Sequence, residues 1–592
     1  ISQNLGCMVE GISMEDLYDR VMDLARRRGF IWHSYEIYGG VRGFIDLGPL
    51  GVILKRRIED KWRRFFVDRL GLLEIETPIV SPKIVFEASG HLEHFKDPMT
   101  VCTSCGRAYR LDHLIKDSVN IPDSRLEGLG LDDLEKLVYN YDIRCPQCGS
   151  KLGKPEYFLT MFETRIGPLS GDIGYARPET AQGIFIAFKR LLEYNRGSLP
   201  VGVAQIGRVL RNEISPRQGP IRLREFTIAE FEFFFDPEDR SCPYISEVEN
   251  EELRILTAEQ RIKGLDEPIT ITVGEAIDKG LIKLEWLAYF MALAKRFLRE
   301  LGVPDDKQRF IEKLDSERAH YSIQGFDQEV YLSRWGWVEV SGHNYRTDYD
   351  LSRHQRFSGV ELTVFKQYPS PIKAKKLVVK PDYRSIGSKY REEAKTIIAT
   401  LGRMDPYDVK RAVSEKGWIE IEGYRIESSD IRFIEEDYEE SGRKFIAHVV
   451  EPSFGVERML YVVLEYAYSE VDGRIVLKLP KDLAPIQIAV YPLLSRDGLP
   501  EKAYQIYRSI KDAGFRVEYD ESGSIGRRYA RADEIGIPIV VTVDYRSLED
   551  GTVTLRDRDT WRQVRVDTLN LVDKLRMYFE GRVSFSELGI PV

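Results

Sequence analysis

The chain has 592 residues, too many for one hydrophobic core, and at about 150 residues per domain it should divide into about three to five modules. With 43% hydrophobic and 31% charged residues it has the make-up of a globular protein with a charged surface, and no apolar run is long enough to span a bilayer. A net charge of -9 excludes a protein that coats nucleic acid nonspecifically, but not one that binds a particular RNA through local basic patches such as Lys55-Arg56-Arg57, Arg63-Arg64 or Arg527-Arg528.

The opening ISQNLGCMVEGISMEDLYDR lacks the basic-then-apolar pattern of a secretory signal, so the expected address is cytoplasmic. From Met14 to Leu70 the pattern reads as helix, loop and helix: LYDRVMDLARRRGF is amphipathic, a glycine-rich segment follows, and VILKRRIEDKWRRFFVDRL resumes helical spacing. Leu73 to Val80 reads as a strand. A separate insert with cysteine pairs runs from about Phe95 to Lys154, and strand-like sequence returns near Tyr157. A second insert, from about Pro237 to Ile323, includes the helical EWLAYFMALAKRFLREL. A third, from about Tyr368 to Lys444, includes YREEAKTIIATL. These interruptions predict an antiparallel sheet assembled from distant pieces.

From Pro485 the order changes to strand (IQIAVYPL), helix (EKAYQIYRSIKDAG), strand (RVEYD), short helix (IGRRYARADEIG), strand (IPIVVTV), a charged hairpin and a last helix (LNLVDKLRMYF). Such alternation predicts an α/β domain with a largely parallel sheet.

Cys102-Thr-Ser-Cys105 and Cys145-Pro-Gln-Cys148 are two CxxC pairs, and four thiolates suit tetrahedral zinc. A pair of disulfides or unliganded surface thiols are the competing readings, the first disfavoured in a cytoplasmic chain. Four cysteine ligands leave no open position for water, so such a zinc would be structural. His113 is a spare ligand, and Cys7 and Cys242 belong to no pair.

RNEISPRQGPIRLREFTIAEFEFFF, from Arg211 to Phe235, reads as two strands joined by a basic loop that Pro216, Gly219 and Pro220 mark as a turn. On an extended strand Arg211 and Glu213 share a face, as do Phe226, Ile228, Glu230 and Glu232. The hairpin offers cations for phosphate, an aromatic ring for a purine and carboxylates for an ammonium. An isolated RxE would be an ordinary surface hairpin; here the whole segment resembles motif 2 of class II aminoacyl-tRNA synthetases, and its wording is similar to the archaeal and eukaryotic dimeric type that handles glycine. The likeness extends along the chain: SYEIYGGVRGFIDLGPLG from Ser34, LGLLEIETPIVSP as motif 1 with Pro78, EASGHLEHFKDPM, ARPETAQGIF from Ala176, GWVEVSGHNYRTDYDLSRH from Gly336, EPSFGVER (Glu451–Arg458) as motif 3, and RADEIGIPIVVTV from Arg531.

The resemblance implies an α+β catalytic domain with an antiparallel sheet (class II synthetase fold), interrupted by insertions and followed by a C-terminal α/β anticodon-binding domain. The implied boundaries are 1–95 (motif 1), 96–154 (zinc-binding insertion), 155–236 (motif 2), 237–323 (second insertion), 324–367, 368–444 (third insertion), 445–482 (motif 3) and 483–592 (anticodon-binding domain).

It also implies the chemistry: glycine is activated with ATP to glycyl-adenylate and then passed to tRNA(Gly), with magnesium accompanying ATP, zinc in the cysteine insert and the chain working as a homodimer. Arg211 is the implied catalytic residue, on the α-phosphate. Glu213 would meet the adenine amino group, Phe226 and Arg458 would sandwich the ring, and Arg222 would contact the triphosphate. Asn212, Leu223, Glu339 and Val340 complete the nucleotide side, where Glu451 would also help to hold magnesium. Glu179, Glu230 and Ser453 are implied for the glycine ammonium, with Glu451, Pro452 and Arg110 as further glycine-side residues. GHNYR after Glu339 departs from the family wording, which leaves the roles of His343 and Arg346 open. The alternatives are a class II synthetase for serine, threonine or proline, and a noncatalytic synthetase-like accessory subunit.

Overall fold

The computed structural model describes residues 14–592 except 120, 122–125, 127, 169, 170, 217 and 320. Thr363–Ile446 form one unit and the other described residues a second.

The amphipathic segments of the second unit become α1 (Met14–Arg27) and α2 (Pro49–Trp62). Pro49 stands in the first turn of α2, where its missing N–H costs nothing. The helix then runs on through a π-helical turn, Arg63–Asp68.

Leu73 to Val80 does not form one strand. Only β1 (Leu73–Glu74) joins the main sheet, and Val80–Pro82 joins a separate small sheet with Glu163–Arg165 and Ile173–Ala176. Pro78 has no N–H for a ladder, and Arg177 takes the local carbonyls instead, donating to those of Thr77 at 2.8 Å and Pro78 at 3.4 Å.

The main sheet adds β2 (Val201–Leu210), β3 (Glu225–Phe235), β4 (Glu252–Leu256), β5 (Ile269–Thr272), β6 (Gln308–Glu312), β7 (Gln324–Leu332), β8 (Gly336–Thr347) and β9 (His448–Gly455). Their order is β5-β4-β6-β7-β8-β9-β3-β2-β1, antiparallel except for the β2/β1 and β4/β6 pairs. Residues 237–323, read from the sequence as an insert, thus contribute three strands to this sheet. Three helices of the unit bear on the site: α3 (Ala181–Tyr194), α4 (Glu285–Glu300) and α5 (Tyr349–Ser358).

Alternation along β3 separates core from site. Odd-numbered Phe231 and Phe233 point into the aromatic core, Phe231 lying 5.0 Å from Phe290 of α4 and 6.2 Å from Trp62 of α2, centroid to centroid. Truncating such a ring to alanine costs about 3–5 kcal/mol. Even-numbered Phe226, Ile228, Glu230 and Glu232 face the other way. Farther along that second face, Phe234 packs 4.6 Å from Phe188 of α3. The apolar α6 (Val456–Ala467) follows β9 and packs into the aromatic core.

In the tail, β10 (Ile488–Pro492) pairs in parallel with β11 (Val517–Tyr519) and β12 (Ile539–Val543). The remaining strands, β13 (Thr552–Asp557), β14 (Gln563–Asp567) and β15 (Ile590–Pro591), are antiparallel, so only half of this sheet is parallel rather than most of it. The link from Val543 to Thr552 is too short for a parallel crossover, which needs a dozen or more residues. The longer helices are α7 (Leu499–Asp512), α8 (Ile525–Glu534) and α9 (Leu571–Phe579), with a five-residue helix at Tyr545–Glu549. Glu534 of α8 accepts from Arg27 at 2.7 Å and Arg28 at 2.6 Å, and Arg558 donates to the Leu479 carbonyl at 2.8 Å.

In the Thr363–Ile446 unit a long two-stranded ribbon, Val364–Pro381 against Ile431–Phe445, carries a small module whose core includes Ile386, Ile397, Val409, Ile421 and Ile426. Lysines on one strand oppose acids on the other: Lys373 faces Glu439, Lys375 faces Asp437 and Lys376 faces Glu436.

Candidate active site and metal centre

The β2–β3 hairpin floors a pocket lined by Arg211, Glu213, Arg222, Leu223, Phe226, Glu339, Val340, Ser453 and Arg458, with Pro220, Ile221, Ile228, Ser341, Gly455 and Glu457. The expected strand does not reach Arg211 and Glu213, because β2 ends at Leu210 and both residues stand just beyond it. Their backbone bonds locally instead: the Arg211 N–H donates to the Arg224 carbonyl (2.8 Å) and the Glu213 N–H to the Arg211 carbonyl (2.8 Å).

The Arg211 guanidinium is fixed by donation to the Pro178 carbonyl (3.1 Å) and lies 5.4 Å from the Phe226 ring centroid and 5.8 Å from that of Phe95. Arg458 donates to the Ile221 carbonyl at 2.9 Å and the Glu339 carbonyl at 2.7 Å, and pairs with the Glu339 carboxylate at 3.2 Å. Burial alone would raise the pKa of Glu339, but Arg458, Lys313 and Arg211 outweigh it and hold the group below its ordinary value. Asn212 is outside the lining and gives its N–H to the Thr160 carbonyl (2.7 Å).

Behind the pocket lies a buried cluster of acids. Glu179, Glu230, Glu232, Asp350 and Glu451 are all buried, with a fully buried Arg346 among them. Arg346 sits where the β8/β9 ladder slips between Tyr345 and Thr347, the kind of irregularity that re-aims a side chain near a site. Its guanidinium holds Asp350 through Nε and Nη2 (2.9 and 3.0 Å), Glu451 at 3.0 Å and Glu179 at 3.6 Å, and lies 3.6 Å from the Tyr321 ring centroid.

Glu179 also meets His91 at 3.3 Å and accepts from Gln182 at 2.9 Å. Burial pushes its pKa up, but His91, Arg346 and Gln182 prevail and keep it ionised, well below the carboxylate range. Glu230 accepts from the Thr180 N–H (2.5 Å) and hydroxyl (2.6 Å), yet burial and Glu179 raise its pKa. Glu451 is pushed up to about 8 by burial and by Glu179 and Glu230, against the pull of Arg346.

Ser453 stands opposite Glu230 in the β3/β9 ladder and lines the nucleotide-side pocket, so it joins the two regions. Pro452 is buried in the same strand, paired in register with His343. Glu451 lies outside the pocket lining, beside the acid cluster, engaged by Arg346 at 3.0 Å and by Asn344 at 3.3 Å.

Arg110 is not brought to this cluster. It is clamped by Asp112 (2.9 Å) and Asp97 (3.2 Å), and with His113, Ser215, Gln218 and Arg222 it lines a neighbouring groove. Sequence reasoning assigned no role to Arg346, Asp350, Gln182 or His91. The only local signal was that Arg346 and Asp350 lie four residues apart, a contact made across the turn from β8 to α5.

The four cysteines converge. Cys102 and Cys148 Sγ are 3.5 Å apart, Cys105 and Cys145 Sγ 3.7 Å, and all four lie within 4.8 Å of one another. Tetrahedral zinc with bonds of about 2.3 Å would set sulfurs about 3.8 Å apart. Each pair sits in the same turn: the Gly106 N–H donates to the Cys102 carbonyl and the Gly149 N–H to the Cys145 carbonyl, at 3.1 and 2.9 Å. The φ angles of those glycines, +66° and +71°, are ones that residues with a Cβ rarely adopt. Glycine after CxxC was therefore a signal the cysteine spacing alone did not use.

Residues 487–577 match the family model described as anticodon binding domain. Over 98% of this chain and 99% of the relative, the sequence is 51% identical to a glycine–tRNA ligase of Aeropyrum pernix. A glycine–tRNA ligase of Pyrococcus furiosus is 48% identical over 96% of this chain and 100% of the relative, and one of Methanothrix thermoacetophila 47% identical over 98% and 100%. With about half of its residues shared along nearly its whole length, the chain belongs to the glycine–tRNA ligases, a family of class II aminoacyl-tRNA synthetases.

Proposed function

We propose that the chain carries out its family's reaction with the residues gathered here: glycine attacks the α-phosphorus of ATP through its carboxylate, pyrophosphate leaves, and the glycyl group passes to the 3′ end of tRNA(Gly). The observation that carries this reading is the continuity between the pocket of Arg211, Phe226 and Arg458 and the buried acids, with Ser453 bordering both. Both steps need alignment and charge neutralisation rather than a dedicated nucleophile. Arg211 stabilises the charge that grows on the α-phosphate, Arg222 contacts the triphosphate, Glu213 meets the adenine amino group, and Phe226 and Arg458 hold the ring. Magnesium enters with ATP, neutralising its phosphates.

Glu179, Glu230 and Ser453 take the ammonium. Glycine has no side chain to grip, so selection works by exclusion: carboxylates beside the α-carbon leave no room for a methyl group, which is easier than rejecting a smaller substrate. The four cysteines hold one zinc that orders residues 96–154. The domain at 483–592 reads the anticodon. A homodimer is supported by the exposed apolar residues Ile79, Val80 and Ile84 in and beside the motif 1 segment, and light scattering tests it. We take the cytoplasm as its compartment, consistent with no helix among the described residues being long and apolar enough to cross a membrane.

Amino-acid-dependent ATP–pyrophosphate exchange tests the central reading. Glycine should support exchange, and serine, threonine, proline and alanine should not. Equal exchange with serine would replace this reading with another synthetase, and none with any amino acid would make the chain an accessory subunit.

A further inference from the structure

Glu232 lies two residues beyond Glu230 on the same face of β3, fully buried, and neither of its carboxylate oxygens has a hydrogen-bond partner among the described residues. The charged groups facing it are Glu230 on its own strand, Glu451 from β9, Arg346 from β8 and Asp350 from α5. Glu179, just before α3, lies 3.6 Å from the same guanidinium. Arg346 already pairs with Asp350, Glu451 and Glu179, and His91 touches Glu179.

Five buried acids around one arginine are not all ionised together, because a buried carboxylate without a partner neutralises instead. The Glu230 charge is met by two donors of Thr180 and that of Glu179 by His91, Gln182 and Arg346. Glu232 has no such donor, and burial together with Glu451 pushes its pKa well above the carboxylate range.

We propose that Glu232 holds a proton until glycine arrives, and that the incoming ammonium drives this proton out to solvent. The inference rests on the reading that Glu179 and Glu230 receive the ammonium. The ammonium brings one positive charge into the cluster, which favours the ionised form of a neighbouring acid. The Glu232 O–H bond breaks, the electron pair stays on the carboxylate, the proton goes to buffer, and the net charge of the cluster is unchanged. Glu232 is thereby a positioning residue that makes the pocket respond to a cation, and a ligand of the same shape without the amine gains nothing from it. Because protons are released on binding, affinity rises with pH, by up to about tenfold per unit for one proton.

The test is calorimetry on the full-length, zinc-loaded protein with a non-hydrolysable glycyl-adenylate analogue, at pH 7 in two buffers of different ionisation enthalpy and again at pH 6. Wild type should release close to one proton per site and bind more tightly at pH 7 than at pH 6. Glu232→Gln, which keeps the shape and a neutral side chain, should release fewer protons than wild type and show a weaker pH dependence, Glu451 being the other acid of the cluster that carries a proton at these pH values. The analogue lacking the amine should release none from wild type. Binding by wild type without proton release overturns the proposal, as does an unchanged release from Glu232→Gln. Absence of release from wild type overturns the proposal even if the variant fails to fold. If Glu230→Gln binds the analogue as tightly as wild type, the reading that places glycine here fails instead, whatever the protons do.

Discussion

Arg222 and Glu213 hold each other: the guanidinium donates through Nε to the carboxylate at 2.7 Å and pairs with it through Nη2 at 2.6 Å. We assign these residues to opposite ends of ATP, so the nucleotide must part them. A partly exposed pair of this kind is worth about 1 kcal/mol or less, small beside contacts with a triphosphate. Arg222→Ala should therefore raise the KM for ATP by about 10–100-fold, the scale of one hydrogen bond to a charged group, with a smaller change in kcat. If the only task of Arg222 is to restrain Glu213, pyrophosphate-exchange kinetics will show an unchanged KM.

Arg211→Ala should lower glycine activation by about two orders of magnitude or more, as expected for loss of a charge-stabilising donor. Arg211→Lys should recover little, since a lysine cannot reproduce a planar fork held by the Pro178 carbonyl between Phe226 and Phe95. Near-normal exchange by both variants would remove Arg211 from the reaction.

Arg346→Met should destabilise the protein by about 3–5 kcal/mol, the cost of leaving buried partners uncompensated, because Asp350, Glu451 and Glu179 all lean on this one guanidinium. Urea denaturation of both proteins measures it. A variant as stable as wild type would mean that the acids are mostly protonated in the fold.

Protein purified without added metal should contain about one zinc per chain by elemental analysis, and Cys145→Ser should reduce that content and the protection of residues 96–154 from proteolysis. Zinc-free protein with full activity and an intact insert would show that the thiols are unliganded.

His343 is fully buried, with Nε2 3.1 Å from the Ser341 hydroxyl, and burial lowers its pKa from 6.5 to about 3. Below pH 6.5 the unfolded chain takes up the proton that the fold refuses. Its contribution is thus fully present above that pH and is lost as pH falls towards 3, by at most about 1.4 kcal/mol per unit. His343→Gln should flatten stability against pH in this window; unchanged acid sensitivity would assign it to other groups.

The β2–β3 hairpin was legible because alternation and turn residues are local signals, and the cysteine cluster because ligand spacing is. The ends of the strands were not. Arg211 and Glu213 read as strand residues but lie past Leu210, where backbone bonds to Arg224 and Thr160 replace the ladder. The acid cluster was half legible: Glu179 and Glu230 came from resemblance, while Arg346 meets partners from Glu179 to Glu451 that only tertiary folding assembles. Glu232 was legible as sharing the strand face of Glu230, but nothing in a strand pattern tells that burial will leave it without a hydrogen-bond partner.

The long ribbon of the Thr363–Ile446 unit is a two-stranded sheet with both edges open, a shape that other chains could extend by adding strands. Its lysines and acids pair diagonally across the strands, Lys375 with Glu435 at 3.6 Å and Lys380 with Glu436 at 2.8 Å, and an incoming strand would meet this charged surface at each edge. The arrangement should keep the ribbon from templating aggregates at low ionic strength and give less protection in concentrated salt, where those charges are screened.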